Sequence, residues 1–279
     1  MIFETIHKHR EKYSCIRMCG VLKVSLSGYY KSIKPASKKD DEEWREIVSE
    51  IKSGYKLSYG YRKVTHEAQQ AFGLRVNHKK IYRIMVKYGL LSKIRRKKSS
   101  NYRHYDEGLL NIYENKLGRR FAQTEPNTVW LQDITELKLR DGVLYIAAIL
   151  DTHRSRLVSY KCSTNNNVDL IMCALKDALK ESRVKMLHSD RGFQYTGLAY
   201  RNIAEENGIE LSMSRAAEPK DNAPIESFFS VLKTECIYRL KPKTVSEATA
   251  LVADFAEYYN NERVILKYDG APNLVSTLG

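Results

Sequence analysis

The segment NTVWLQDITELKLRDGVLYIAAILDTHRSRLVSYKCST, residues 127–164, decides the fold. It holds three runs rich in β-branched and aromatic residues: TVWLQDITELKL, GVLYIAAILDT and RLVSYKCST. Short turn sequences separate them, Arg140-Asp141-Gly142 and His153-Arg154-Ser155, so the runs read as an antiparallel meander. Beyond it the period changes. VDLIMCALKDALKES is apolar at helical spacing, VKMLHSD is a strand, TGLAYRNIAEENG a helix and IELSMS a strand; IESFFSVLKTECIYRL and TVSEATALVADFAEYYNNE are helices. A meander continued by alternating helices and strands predicts an α/β fold, a mixed five-strand sheet with helices on both faces.

That order is ribonuclease-H-like, and an all-α region precedes it. IRMCGVLKVSLSGYYKSI has the rhythm of helix, tight turn and helix. DDEEWREIVSEIKS opens with acids suited to a helix N-terminus and places Trp44, Ile47 and Ile51 at helical spacing. YGYRKVTHEAQQAFG stops at Gly73, and NHKKIYRIMVKYGLL restarts with Asn77 as its cap. On this last helix Ile81, Ile84, Met85 and Tyr88 form an apolar face, with Lys79, Lys80, Arg83 and Lys87 opposite. This is the form of a recognition helix with a basic exposed side. KIRRKKSSNYRHYDEG follows without apolar periodicity, and Arg95, Arg96, Lys97 and Lys98 in it suit phosphate contact. The expected division is an N-terminal helical region (1–50), a helix-turn-helix module (51–95), a basic linker (96–122), a catalytic core (123–270) and a tail (271–279).

Charge separates these parts. The 279 residues carry 47 Lys+Arg against 33 Asp+Glu, a net charge of +14, which favours a polyanionic partner. Residues 1–122 hold 28 Lys+Arg and 12 Asp+Glu, whereas the remainder holds 19 and 21. The first part has the charge of a DNA grip, and the second does not. Five cysteines without a CxxC pair suggest reduced thiols. No apolar run reaches the roughly 18–20 residues of a membrane span, and the first residues lack the apolar core of a signal peptide. A cytoplasmic, nucleoid-associated protein of a prokaryote, with no membrane partner, is expected.

Three acids on three elements carry the chemistry: Asp133 in NTVWLQDITEL, Asp190 in VKMLHSDRGFQY and Glu226 in KDNAPIESFFSVLKTE. In this strand order the first and fourth strands are central neighbours, so Asp133 and Asp190 meet, and Glu226 opens a helix that swings toward them. Three convergent carboxylates suit two Mg²⁺ (or Mn²⁺) ions about 4 Å apart, clamping the attacking and leaving oxygens of a phosphoryl transfer. Glu218 and Asp221 compete for the third position by spacing alone. Asp151 reads as a turn residue, His188 as a buried hydrogen-bonded histidine and Trp130 as core. His7, His9, Cys15 and Cys19 have the wrong spacing for zinc, and the two cysteines suit a helix core face. Tyr258, Tyr259 and Asn260 suit either DNA contact or packing of the last helix.

VWLQDITEL, LHSDRGFQY and KDNAPIESFFSVLKTE, with 35 residues between Asp190 and Glu226, resemble the DDE catalytic core of insertion-sequence-3 family transposases. The second-reading-frame product, OrfB, is the specific likeness, and its core is similar to retroviral integrases. SYGYRKVTHEAQQAFGLRVNHKKIYRIMVKYGLL resembles the family's helix-turn-helix module, and FAEYYNNER a late motif; together the likeness covers roughly 220 residues. It implies that Asp133, Asp190 and Glu226 are catalytic metal ligands and that Lys233 holds a terminal DNA phosphate. It also implies cleavage at element ends, transfer of a freed 3′-OH, a circular DNA intermediate, and a homo-oligomer on paired ends. The tail ILKYDGAPNLVSTLG departs from the family pattern. A leucine-zipper heptad run is missing, which suggests OrfB alone or one part of a fusion with the upstream-frame OrfA protein. A DNA-binding regulator with an inactive core and a nuclease that only hydrolyses are the rival readings.

Overall fold

The computed structural model describes residues 2–33, 38–92, 112–216 and 218–273, with the side chains of 31, 33 and 38–40 left out. The expected linker residues Arg95, Arg96, Lys97 and Lys98 lie outside this set. The chain divides into two compact units, Met1–Ile51 with Val64–Leu91, and Lys52–Lys63 with Ser92–Gly279. Among the described residues no helix is long and apolar enough to cross a membrane.

The first unit is helical. α1 (Ile2–His9), α2 (Cys15–Val21) and α3 (Leu26–Ile33) enclose a small core of Ile6, Cys19 and Tyr29, with Cys15 packed against it. Both cysteines thus serve the apolar face that their i, i+4 spacing predicts. α4 (Lys38–Ile51) buries Val48 and Ile51, α5 (Tyr61–Gln70) buries Val64 and Ala68, and α6 (His78–Lys87) buries Ile81, Ile84 and Met85. The Asn77 side chain caps α6 by accepting from the Lys79 amide at 2.9 Å.

The second unit is built on one sheet. β1 (Val129–Lys138), β2 (Val143–Asp151) and β3 (Arg156–Ser163) form the antiparallel meander, and β4 (Met186–Ser189) and β5 (Glu210–Met213) add in parallel, in the order β3-β2-β1-β4-β5. This is the ribonuclease-H-like arrangement. α7 (Val168–Glu181) packs on β2 and β3 over Trp130, Ala147 and Ile149. The opposite rows, Leu131, Leu144, Ile146, Ala148 and Leu150, are equally buried. On that face α9 (Ala223–Val231) packs against β1 and β2 and α11 (Val245–Asn261) against β2 and β3, while α8 (Leu198–Glu206) lies along β5. Central strands covered on both faces need apolar residues in both rows, which is why VLYIAAIL reads as a continuous run.

α9 does not end where its period first fails. It runs on through a π-helical turn, Leu232–Ile237, into the short α10 (Tyr238–Leu240). α11 starts with a capping box in which Thr244 and Glu247 satisfy each other's backbone amides. Near its end Asn260 imitates a strand edge, accepting from Leu157 N at 3.0 Å and donating to Leu157 O at 2.8 Å. Tyr258 and Tyr259 are buried beside it, so these three residues pack the helix.

The segment Lys52–Lys63 departs from the expected module boundaries. Tyr59 is fully buried in the sheet unit, where its hydroxyl accepts from Val264 N at 3.0 Å and lies 3.1 Å from the Tyr258 hydroxyl. Tyr55 stacks 4.8 Å from Tyr258. The Lys52 ammonium donates to the Leu57 and Tyr59 carbonyls at 2.8 and 2.9 Å, closing the segment on itself. A stretch expected inside the helix-turn-helix module is thus core of the sheet unit.

Candidate active site

Parallel pairing of β1 with β4 aligns Gln132 with Ser189, so the next residues, Asp133 and Asp190, stand side by side. Each carboxylate is fixed by a backbone amide: Ile134 N donates to Asp133 Oδ1 at 2.8 Å, and Gly192 N to Asp190 Oδ1 at 2.9 Å. Both line a cavity of about 190 Å³, together with Thr135, Tyr145, Asn166 and the residues 192–195. Burial raises the Asp133 carboxyl well above the ordinary range, Asp190 raises it further and Glu226 adds to this, while Lys233 opposes them. Burial likewise raises Asp190, against the lowering effect of the Gly192 amide. Two like charges held together in a poorly solvated hollow are costly for the fold alone, which is a signature of function.

Glu226 sits in the first turn of α9, after Pro224 in the position where a helix tolerates proline. Its side chain is exposed and is not on the cavity wall, although it acts electrostatically on Asp133. Among the described residues no group of three His, Cys, Asp or Glu side chains is close enough to hold a metal ion. Of the expected trio, Asp133 and Asp190 stand together, and Glu226 is exposed at the start of α9. Lys233 is the second residue of the π-helical turn and is half-buried. Desolvation lowers its pKa, and the charges of Glu136 and Asp133 act against this.

The competing acids have other employment. Asp221 is fully buried and binds Arg215, Arg119 and Asn115: Arg215 Nε and Nη2 donate at 2.9 Å, Arg119 Nε at 2.6 Å and Asn115 Nδ2 at 2.8 Å. The Arg215 hydrogen bond, then the other partners, hold it well below the usual carboxylate range. This network anchors the turn that leads into α9. Glu218 pairs with Arg119 at its edge. Asp151 accepts from the amides of Asn127 at 2.7 Å and His153 at 3.0 Å, as a turn residue does. His188 is buried between the Ser212 and Ser214 hydroxyls at 2.9 and 3.1 Å, and burial pushes it down to about 4, so its ring is neutral at pH 7.

On the expected recognition helix, α4 holds much of the basic face. Arg83 donates to both oxygens of Asp41 at 2.9 and 2.6 Å, Lys87 to Oδ2 at 2.7 Å, and the Lys80 ammonium lies 4.6 Å over the Trp44 ring. Lys79 is exposed, and Arg83 and Lys87 keep about half of their side-chain surface in solvent.

Sequence reasoning passed over the residues that shape the cavity. Gln132 is buried behind Asp133, accepting from the Tyr200 hydroxyl at 2.9 Å and donating to Ile171 O at 3.0 Å. Gly192 leaves little room for a side chain: a Cβ there would stand 3.0 Å from Asp190 Oδ1 and 2.9 Å from Gln194 Oε1. Since its φ is ordinary, the glycine serves close approach rather than backbone strain. We expect Gly192→Ala to turn the Asp190 carboxylate and slow DNA joining by about 10–100-fold while the melting temperature moves little. Single-turnover kinetics beside a melting curve check this; unchanged kinetics would contradict it. The string DRGFQY carried this signal in its glycine two residues after the acid.

With this geometry in view, comparison with known proteins is direct. Residues 123–219 and 207–264 match models described as integrase core domains, and residues 38–98 match an HTH-like domain. The InsF transposase of insertion sequence IS3A in Escherichia coli K12 is 32% identical over 85% of this chain and 84% of its own length. The transposase for insertion sequence element IS904 in Lactococcus lactis is 34% identical over 79% of this chain and 89% of its own. The protein named InsK, for insertion sequence element IS150 in Escherichia coli K12, is 32% identical over 96% of this chain and 94% of its own. Identity of this extent across both the helical and the sheet regions shows that the chain belongs to the insertion-sequence-3 family of transposases.

Proposed function

We propose that this transposase cuts element ends and joins them to target DNA through Asp133, Asp190 and Glu226. The observation that carries the reading is the carboxylate pair on adjacent central strands, each acid pinned by a backbone amide at the wall of one cavity. The donor set fits a hard divalent cation: all of its ligating atoms are carboxylate oxygens, and burial raises the pKa of both aspartates, with the charge of Asp190 raising Asp133 further, which a cation would relieve. Asp133, Asp190 and Glu226 would hold two Mg²⁺ (or Mn²⁺) ions, which when bound supply charge stabilisation at the phosphate oxygens and a more acidic nucleophile.

The remaining work falls to this chain's own groups. Glu226 closes the set when α9 moves toward the pair. Lys233, whose charge acts on Asp133, neutralises a terminal phosphate of the element end. In joining, the 3′-hydroxyl oxygen of that end bonds to a target phosphorus, the target 3′-oxygen leaves with the electron pair, and the proton of the attacking hydroxyl passes to solvent. No bond to the protein forms. Lys79, Arg83 and Lys87 on α6, with Lys80 and the segment Arg95–Lys98, supply phosphate contacts that hold the DNA. We further assign the working form to a homo-oligomer on paired ends in the cytoplasm, acting with or fused to the upstream-frame protein.

The test is an assay with labelled 3′-OH ends, plasmid target and Mg²⁺. Joined product is expected. Nicks without joining would make the protein a hydrolase, and binding without either would make it a regulator.

A further inference from the structure

The helix that carries Glu226 and Lys233 runs on to a second hollow, of about 550 Å³. Glu136 and Lys138 line it from the end of β1, and Tyr238 and Lys241 from the helix side. Glu136 also lines the cavity of the two aspartates, so the hollows share a wall residue. The volume suits a ligand of nucleotide size. Two hydrogen bonds fasten its rims together: the Arg140 amide donates to the Lys243 carbonyl at 3.0 Å, and Asp141 accepts from Val245 N at 2.9 Å.

Two departures from regular backbone occur at this hollow. The first is the π-helical turn, in which the Tyr238 amide reaches back five residues to the Lys233 carbonyl. In an unbroken α-helix Tyr238 would stand roughly 140° around the axis from Lys233. The wider turn returns it to that side, so the stripe Glu226, Ser230, Lys233, spaced i, i+4, i+7, continues to Tyr238. The second is Lys241, which closes α10 at φ 50° and ψ 57° with its amide on the Ile237 carbonyl at 2.8 Å. Glycine is the residue for such a left-handed closing position. A lysine kept there against the backbone's preference points to a use for its side chain.

Tyr238 is 43% exposed, and Lys138 and Lys241 are exposed as well. An exposed ring beside ammonium groups is a platform for a base and the phosphate next to it. Bases of a duplex already stack on one another, so only an opened strand can use the ring.

We propose that this hollow binds the opened strand of the element end, with one base stacked on Tyr238 and the adjoining phosphate held by Lys241; this rests on the reading that the end is cut and joined at Asp133 and Asp190. The strand is that of the element end rather than of the target, because Lys233, read as the holder of the terminal phosphate, stands one turn before Tyr238 on the same side of the helix.

In the full-length protein, Tyr238→Leu keeps an apolar side chain on the helix and loses the ring. Affinity for an element end with a few unpaired terminal nucleotides is expected to fall by about 5–150-fold. Tyr238→Phe, which keeps the ring, should recover most of this loss. Lys241→Gly should lower the slope of log affinity against log salt by about 0.7, the share of one single-strand phosphate. Its melting temperature should stay level or rise, because the left-handed position then holds the residue it favours. Wild-type affinity in Tyr238→Leu would overturn the proposal, and so would a lower melting temperature in Lys241→Gly, which would make the lysine structural.

Iodo-deoxyuridine in the unpaired nucleotides locates the base, since irradiation should crosslink it to Tyr238. Crosslinks to Tyr238 from the target strand alone would give the hollow to the target. A changed subunit count in DNA-free Tyr238→Leu would give it to a second copy of the chain. Either result would overturn the proposal. Failure of the underlying reading looks different: Asp190→Asn would then still join DNA, while Tyr238→Leu would still bind ends weakly.

Discussion

Asp190→Asn is expected to lower single-turnover joining in Mg²⁺ by at least about 10³-fold while element-end affinity stays within about twofold. The substitution keeps the shape and the Oδ1 acceptor for the Gly192 amide, so the turn that carries Tyr195 has no reason to move. What it removes is a charge that the fold holds at a cost. Binding survives because phosphate contacts by Lys and Arg, not this acid, supply the affinity. A loss of binding equal to the loss of joining would place Asp190 in DNA recognition. Retained joining would remove it from the chemistry altogether.

Asp133→Asn separates stability from activity. Burial first, then Asp190, raise the folded-state pKa of Asp133 above its unfolded value, and the sign of the linkage follows. Below the unfolded carboxylate value of about 4 both states are protonated and nothing is lost. As pH rises past it the unfolded chain ionises first, the folded chain keeps the extra proton, and stability falls until the raised folded value is passed. Above the raised folded value the loss is complete and constant. Asparagine escapes it and still accepts from Ile134 N. In the presence of a chelator at pH 8 the variant should melt about 2–6 °C above wild type, corresponding to roughly 1–3 kcal/mol. The gain should vanish near pH 4, and joining should be abolished at every pH. A variant that melts lower than wild type at pH 8, or a gain that does not shrink in acid, would contradict the electrostatic account of the pair.

The architecture was legible because period is a local property. The even and odd rows of WLQDITELKL and VLYIAAILD, the cap at Asn77 and the glycine at 73 each act within a few residues, and the structure uses them as read. Asp133 and Asp190 were legible as neighbours for the same reason, since strand order alone brings them together. What depends on long-range packing was not. Tyr55 and Tyr59 belong to the sheet unit through partners some 200 residues away, a relation no window contains. Arg83 and Lys87 look like a free basic face until Asp41, 42 and 46 positions earlier, accepts from both. Glu226 was expected to converge with the aspartates, but the placement of its helix turn, not its spacing, decides that distance. The burial of the Tyr195 hydroxyl without a partner is beyond any sequence pattern, because packing by distant elements decides it.

The central claim is that Asp133, Asp190 and Glu226 form one metal-dependent site when DNA is bound. Anomalous diffraction from crystals of the transposase with an element-end DNA and Mn²⁺ tests it most directly. Manganese density within ligand distance of Asp133 and Asp190, with Glu226 turned in to meet it, is the predicted result. Manganese held elsewhere, or bound to the aspartates with Glu226 still pointing to solvent, would contradict the account.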